Sequence, residues 1–143
     1  LETVSLRYFN IYGERQNVGG AYAMVIGIFA DQRLRGEIMT INGDGSQRRD
    51  FTYVGDVVNA NILASQSEKV GKGEVINIGN GDNRSINDIA DMIGGERIHR
   101  EPVIEPKETL ADNSLAEELL GWKPTQNIED WIPKYKKELG LDV

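Results

Sequence analysis

The sequence has no cysteine and a single histidine in 143 residues, with four prolines and two tryptophans. Absence of cysteine excludes disulfides, thiolate zinc sites and a thiol nucleophile together. His99 stands between Arg97 and Arg100 with no second imidazole in the chain to share a metal or a proton relay. It reads as a polar strand or loop residue rather than a catalytic base, and no metal site is expected. Positive charge is also scarce: 16 Lys+Arg against 23 Asp+Glu gives a net charge of −7 and an isoelectric point near 4.8. That balance argues against a nucleic-acid or anionic-membrane partner, either of which requires a basic face. No apolar run approaches the ~20 residues of a membrane span, and no signal peptide is expected. What remains is an ordinary soluble composition, 39% hydrophobic and 27% charged, of cytoplasmic type. The length suits one domain able to bury roughly two-thirds of its unfolded surface. The first residue is Leu1 rather than Met, which suggests a processed product or a fragment.

Glycine, by contrast, is plentiful at 16 residues, which raises the question of a phosphate-binding loop. The G-x-G triplets are Gly43-x-Gly45, Gly71-x-Gly73 and Gly79-x-Gly81, and the residues three further on are Arg48, Ile76 and Arg84. No G-x-G-x-x-G results, and no G-K-[ST] is present, so neither a dinucleotide fingerprint nor a P-loop is found. These glycines read first as turn chemistry. Glu101 and Glu105 flank prolines and read as a solvated loop rather than an acid–base pair. The strongest chemical lead is Gly43-Asp44-Gly45-Ser46-Gln47-Arg48-Arg49-Asp50-Phe51, a tight turn followed by two guanidiniums and an aromatic. An arginine fork suits a phosphate or diphosphate, while the alternative is a pair of surface bridges to Asp44 and Asp50.

Hydrophobic spacing predicts an α/β chain. Thr3 to Phe9 reads as a strand ending at Asn10, and Ala21 to Arg35 as a helix closed by Gly36. Ile38 to Asn42 and Arg49 to Val54 are strand-like. Asp56 is placed as the N-cap of a helix whose Val57, Ala60, Asn61 and Ala64 share one face. Glu74 to Ile78 is a further strand, and Ser85 with Asp88 starts a helix bearing Ile86, Ile89, Ala90 and Ile93. Ser114 with Glu117 reads as a capping box closed by Gly121, and Asn127 caps a helix carrying Trp131, Tyr135 and Leu139. The two principal strands look apolar on both faces yet have few candidate neighbours.

Four motifs carry a family resemblance. Leu6-Arg7-Tyr8-Phe9-Asn10-Ile11-Tyr12-Gly13-x-Arg15-Gln16 is the first, and Met39-Thr40-Ile41-Asn42-Gly43-Asp44-Gly45-Ser46-Gln47-x-Arg49-Asp50-Phe51-x-Tyr53-Val54-x-Asp56-Val57 the second. Asn77-Ile78-Gly79 with Ser85-Ile86 is the third. Leu110-Ala111-Asp112-x-Ser114 through Leu120-Gly121-Trp122-x-Pro124 is the last. In this order they resemble the extended short-chain dehydrogenase/reductase family, among its sugar-nucleotide epimerases and dehydratases, with UDP-glucose 4-epimerase-like enzymes the nearest in type.

The resemblance implies the C-terminal, substrate-binding part of an extended Rossmann-type enzyme, over residues 1–143, including the last strands of its parallel sheet at about 3–10 and 74–79. It implies NAD as cofactor of the complete enzyme. The amino-terminal NAD-binding domain, with its glycine-rich loop and Tyr-x-x-x-Lys pair, is not found here. The residues four beyond Tyr8, Tyr12, Tyr22, Tyr53 and Tyr135 are Tyr12, Gln16, Ile26, Val57 and Leu139. No catalytic residue is therefore assigned, and the chain alone is expected to be inactive. Family members take hydride from the sugar C4 and return it on the other face, which requires a firm anchor at the nucleotide and slack at the sugar.

Carried over by motif, Tyr8 and Phe9 correspond to cofactor-site positions. Asn10, Met24, Thr40, Asn42 and Arg49 correspond to substrate-binding positions, with Asn10 and Arg49 on the diphosphate and Thr40 and Asn42 beside the uracil. Two positions depart from the family pattern. Asn42 stands where an aromatic is often found, and Val103 where a second phosphate arginine is common, with Arg100 and Lys107 nearby. The implied partner is a UDP-sugar, and the implied assembly a homodimer of the complete enzyme. A dehydratase or decarboxylase, or a non-catalytic binding module, is the alternative. Strands without neighbours predict a free apolar edge or face, and hence self-association or poor order around residues 1–20.

Overall fold

A computed structural model describes residues 1–141. Its strands are β1 (Thr3–Tyr8), β2 (Ile11–Tyr12), β3 (Met39–Asn42), β4 (Arg48–Arg49), β5 (Thr52–Tyr53), β6 (Lys72–Ile78), β7 (Arg84–Ser85) and β8 (Arg97–Arg100). The helices are α1 (Val25–Leu34), α2 (Val54–Gln66), α3 (Ile86–Ile93), α4 (Ser114–Leu120) and α5 (Ile128–Glu138). Three of the strand pairs, β1–β6, β2–β5 and β3–β8, are parallel, and β4–β7 is antiparallel. Parallel neighbours require crossovers, and helices supply them here, as the α/β reading anticipates.

Two cores result. The first lies between the β1–β6 pair and helices α2 and α4. It contains Val57, Ala60, Ala64, Ile76, Ile78, Ala116, Leu120 and Trp122, with Val4 and Leu6 packed against it. The second joins α1, α3 and α5 to β3 through Ile26, Phe29, Met39, Ile41, Ile89, Ile93, Trp131 and Ile132. There the Trp131 ring stacks on Tyr135 at 4.5 Å and meets Tyr12 edge-on at 4.9 Å. The period-2 alternation of β3 turns Met39 and Ile41 inward, which leaves Thr40 and Asn42 on the opposite side.

Local signals account for most ends. Ser85 Oγ accepts the Asp88 N–H at 3.0 Å while the Asp88 carboxylate accepts the Ser85 N–H at 2.8 Å, a complete capping box. Asn127 accepts the Asp130 N–H at 2.8 Å and caps α5. Gly36 and Gly121 take φ of +68° and +64° just past α1 and α4, where a Cβ would be strained.

Several expectations are corrected. Helix α1 begins at Val25 rather than Ala21, because Gly20 takes φ +86° and Met24 is extended at φ −90°, ψ 151°. The run 49–54 is two short strands, since Asp50 and Phe51 leave the ladder between them. Asp56 is not a cap: Tyr53 is the N-cap of α2, and the buried Asp56 carboxylate accepts the Thr125 N–H at 2.9 Å, its hydroxyl at 2.6 Å and the Gln126 N–H at 3.2 Å. On the shared face of α2, Val57, Ala60 and Ala64 are buried and Asn61 is exposed. Asn113, not Ser114, is the N-cap of α4, and the Ser114 hydroxyl donates to Asp112 at 2.7 Å.

Strand β1 is also less apolar than anticipated: its Thr3, Ser5 and Arg7 face outward and are exposed, with Val75 of β6 46% exposed. The side facing the helices is the apolar one. Among the described residues, β1 pairs only with β6, so one of its edges carries no ladder.

Candidate functional site

The chain turns sharply where β1 ends. Asn10 adopts φ +25°, a region that asparagine enters more readily than most residues. Its carbonyl accepts the Thr52 N–H at 3.1 Å, and its side-chain oxygen accepts the Thr109 hydroxyl at 3.3 Å. Thr40 is fixed by Gln32, which donates to its hydroxyl at 3.0 Å and accepts its N–H at 3.2 Å. Met24 precedes the first turn of α1, and Arg49 ends β4. These five residues from four segments (Asn10, Met24, Thr40, Asn42 and Arg49) line one cavity of about 270 Å³. Its apolar wall includes Phe29 and Phe51, and its polar wall is completed by Gln47 and Glu105. A larger open groove of about 930 Å³, between the 42–47 turn and the 99–107 segment, shares Asn42, Gln47 and Glu105 with that cavity.

Arg49 is the one cation among the described residues that line the cavity, and its side chain is only 11% exposed. Nη1 donates to the Arg48 carbonyl at 2.8 Å, and Nη2 donates to Glu105 Oε2 at 2.5 Å. Glu105 Oε1 also accepts from Gln47 Nε2 at 3.1 Å. Glu105 is an exposed loop residue, as expected, and it is also engaged with the arginine. The alternative of surface bridges to Asp44 and Asp50 is not found either. Arg48 turns to Asn83, with Nε to Oδ1 at 2.7 Å and Nη2 to the carbonyl at 2.9 Å. Asp44 bonds instead to Ser46, whose hydroxyl and N–H hold its carboxyl below the ordinary range.

Sequence reasoning missed Asp50. Its side chain is fully buried, and its carboxylate collects the backbone N–H of Asn80 at 2.8 Å, Gly81 at 2.9 Å and Ala111 at 3.0 Å. Burial pushes the carboxyl above its ordinary value, although the three N–H groups pull the other way. Asp50 thereby ties the residue after Arg49 to the loop after β6 and to the 109–111 segment that supplies Thr109. Strand alternation gives no signal for it, because an inward Phe51 would turn Asp50 outward, whereas Arg49, Asp50 and Phe51 are all buried where the chain leaves the ladder.

Other anticipated residues lie elsewhere. Tyr8 is 46% exposed and donates its hydroxyl to Asn61 at 3.0 Å, while Phe9 packs beside Gly79, and neither lines the cavity. His99 is exposed, with Nδ1 2.8 Å from the Gly43 carbonyl. Val103, Arg100 and Lys107 line the outer groove rather than the cavity. Among the described residues there is no group of three or more acidic or imidazole side chains able to hold a metal ion. None of the described helices is long and apolar enough to cross a membrane.

Comparison with known proteins follows the same lines. The family described as "NAD dependent epimerase/dehydratase family" matches residues 1–79. A UDP-N-acetyl-alpha-D-glucosaminuronate decarboxylase of Bacillus cytotoxicus is 48% identical over 65% of this chain and 28% of its own length. The UDP-glucose 4-epimerase of Mycolicibacterium smegmatis is 35% identical over 87% of this chain and 41% of its own. A UDP-glucuronic acid 4-epimerase from Bacillus cereus, solved in complex with UDP-glucuronic acid and NAD, superimposes with a TM-score of 0.86 at 36% identity. That match covers 96% of this chain and 45% of the other. The chain thus spans under half the length of these relatives. With motif order, α/β architecture and profile in agreement, the chain belongs to the NAD-dependent epimerase/dehydratase family and corresponds to a part of the Rossmann-type enzymes in it.

Proposed function

We propose that this chain is the nucleotide-sugar-holding part of an NAD-dependent UDP-sugar 4-epimerase of the UDP-glucose/UDP-galactose type. The observation that carries the reading is the single cavity assembled from Asn10, Met24, Thr40, Asn42 and Arg49. Its lining combines amide and hydroxyl groups with a guanidinium, groups that suit a uridine diphosphate. Arg49 anchors the diphosphate and Asn10 assists it. Thr40 and Asn42 border the uracil, and Met24 closes the apolar wall. Tyr8 and Phe9, at the end of β1, belong to the cofactor side. The chain's residues bind and orient the nucleotide. NAD in the complete enzyme supplies the hydride acceptor, and the general base also belongs outside these 143 residues.

On this reading, residues 1–143 are a C-terminal substrate-binding region whose β1–β6 pair continues a larger parallel sheet through the free edge of β1. The complete enzyme is a homodimer of the cytoplasm, and the chain alone is inactive. A UDP-sugar decarboxylase of the same family is the second reading, favoured by the 48% identity to the Bacillus cytotoxicus relative.

The test has two parts. Interconversion of UDP-glucose and UDP-galactose by the full-length protein supports the epimerase, and carbon dioxide release from a UDP-uronic acid supports the decarboxylase. Turnover by the 143-residue chain alone would overturn its assignment as a binding part. At the anchor, Arg49→Gln should weaken UDP binding roughly tenfold or more, as expected for loss of a charge-assisted contact. Calorimetry giving the wild-type affinity would refute the phosphate contact.

A further inference from the structure

We propose that Glu105 is a displaceable internal anion that occupies the diphosphate face of Arg49 and sets how strongly the cavity discriminates for charged ligands. The inference rests on the assignment of Arg49 to the diphosphate. Its basis is the pairing at 2.5 Å between Glu105 Oε2 and Arg49 Nη2, on an arginine whose one other hydrogen bond among the described residues runs to the Arg48 carbonyl. Arg49 and Glu105 are the two charged residues that line the cavity, so together they make its lining neutral. A diphosphate placed on Arg49 would meet the Glu105 carboxylate at hydrogen-bond range, and two anions cannot share one guanidinium edge without a cost in affinity.

Geometry makes Glu105 able to leave. It lies between Pro102 and Pro106 in the segment joining β8 to α4, which forms no helix, and its side chain is 32% exposed. Gln47 is the second residue that holds it, at 3.1 Å, and Gln47 keeps an independent bond to the Asn42 carbonyl at 2.9 Å. Withdrawal of Glu105 therefore leaves the Gln47 side chain anchored. Size points the same way. The cavity of about 270 Å³ falls just short of the range usual for small-molecule sites, roughly 300–1,000 Å³. Glu105 also lines the outer groove of about 930 Å³, so its movement joins the two spaces. Arg100 and Lys107 line that groove alongside Asp44 and Glu101, so a departing carboxylate finds two cations there although the groove is not cationic as a whole.

The experiment is calorimetric titration of the full-length protein with UDP and, separately, with uridine, in wild type, Glu105→Gln, Arg49→Gln and the double variant. Glu105→Gln should tighten UDP by roughly fivefold or more, leave uridine within twofold, and lose its gain in the Arg49→Gln background. Thermal unfolding of each variant separates binding from folding defects. If Arg49→Gln weakens UDP while Glu105→Gln leaves it unchanged or weaker, the displaceable anion is overturned and the phosphate contact stands. If Arg49→Gln leaves UDP binding unchanged, the assignment of Arg49 fails and this inference falls with it. Equal tightening of uridine and UDP by Glu105→Gln would show steric relief rather than anion competition, and would also overturn the proposal.

Discussion

Replacing Asp50 tests whether one buried carboxylate holds the site's framework together. Three backbone donors from two separate loops converge on it, at 2.8 Å to Oδ1 and at 2.9 and 3.0 Å to Oδ2. In Asp50→Asn the better amide orientation keeps an oxygen for Gly81 and Ala111 and turns an NH₂ toward the Asn80 N–H. One donor is then stranded, at roughly 1–3 kcal/mol, and the remaining two bonds lose their charge assistance. Relief of a buried charge offsets part of this, so the net expectation is about 2 kcal/mol. Asp50→Ala strands all three donors, and about 4 kcal/mol is expected. For a unit of this length these are shifts of roughly 7 and 13 °C in Tm by circular dichroism.

The pH dependence of the Asp50 variants has a defined sign. Burial raises the carboxyl in the folded state above its ordinary value of 3.8, so the folded state binds the proton more readily than the unfolded chain. The stability contributed by this group therefore declines as pH rises from the ordinary value through the raised one. The gap between wild type and Asp50→Asn should widen as pH falls through that window. A gap that closes on acidification, or an Asp50→Ala protein within 1 kcal/mol of wild type at neutral pH, would refute the role given to these bonds.

Other outcomes follow from the same contacts. Gly79→Ala would drive a Cβ into that of Ala111 and place it 3.2 Å from Asp50 Oδ2, so a loss of roughly 1–3 kcal/mol is expected in urea unfolding. Asp56→Ala removes the acceptor for Thr125 and Gln126 and should destabilise by about 2–4 kcal/mol. UDP affinity should survive at temperatures where the variant remains folded, since Asp56 lies outside the cavity. Acid should weaken the fold through other groups: the Trp131 indole holds the Glu14 carboxyl low, and Arg84 does the same for Asp82. Their contribution is full above the ordinary carboxylate range and is lost as pH falls through their depressed values. Unfolding curves that show no loss from Trp131→Phe or Arg84→Ala at pH 7, relative to pH 3, would contradict this.

Much of the framework was legible in the chain. The capping box at Ser85, the stripe Ile86, Ile89, Ala90 and Ile93, and the glycines past α1 and α4 all rest on spacings of four residues or fewer, and local geometry suffices for them. Signals failed where a side chain works at long range. Asp56 looked like a cap because aspartate before an apolar periodic run is the usual cap pattern. Its partners, Thr125 and Gln126, are 69 and 70 residues away. Glu105 is the exposed loop residue that its proline and charged neighbours suggest, but its pairing with Arg49, 56 residues back, leaves no local trace.

The sequence by itself determined the absence of thiol chemistry, the α/β alternation and the family, because these depend on composition, short periodicities and motif order. It also nominated Asn10, Met24, Thr40, Asn42 and Arg49, although only by resemblance. The tertiary structure decided that those five share one cavity and that Tyr8 and Phe9 stand outside it. It also decided that Arg49 meets a carboxylate, since contacts between distant segments arise only when packing brings their strands and loops together.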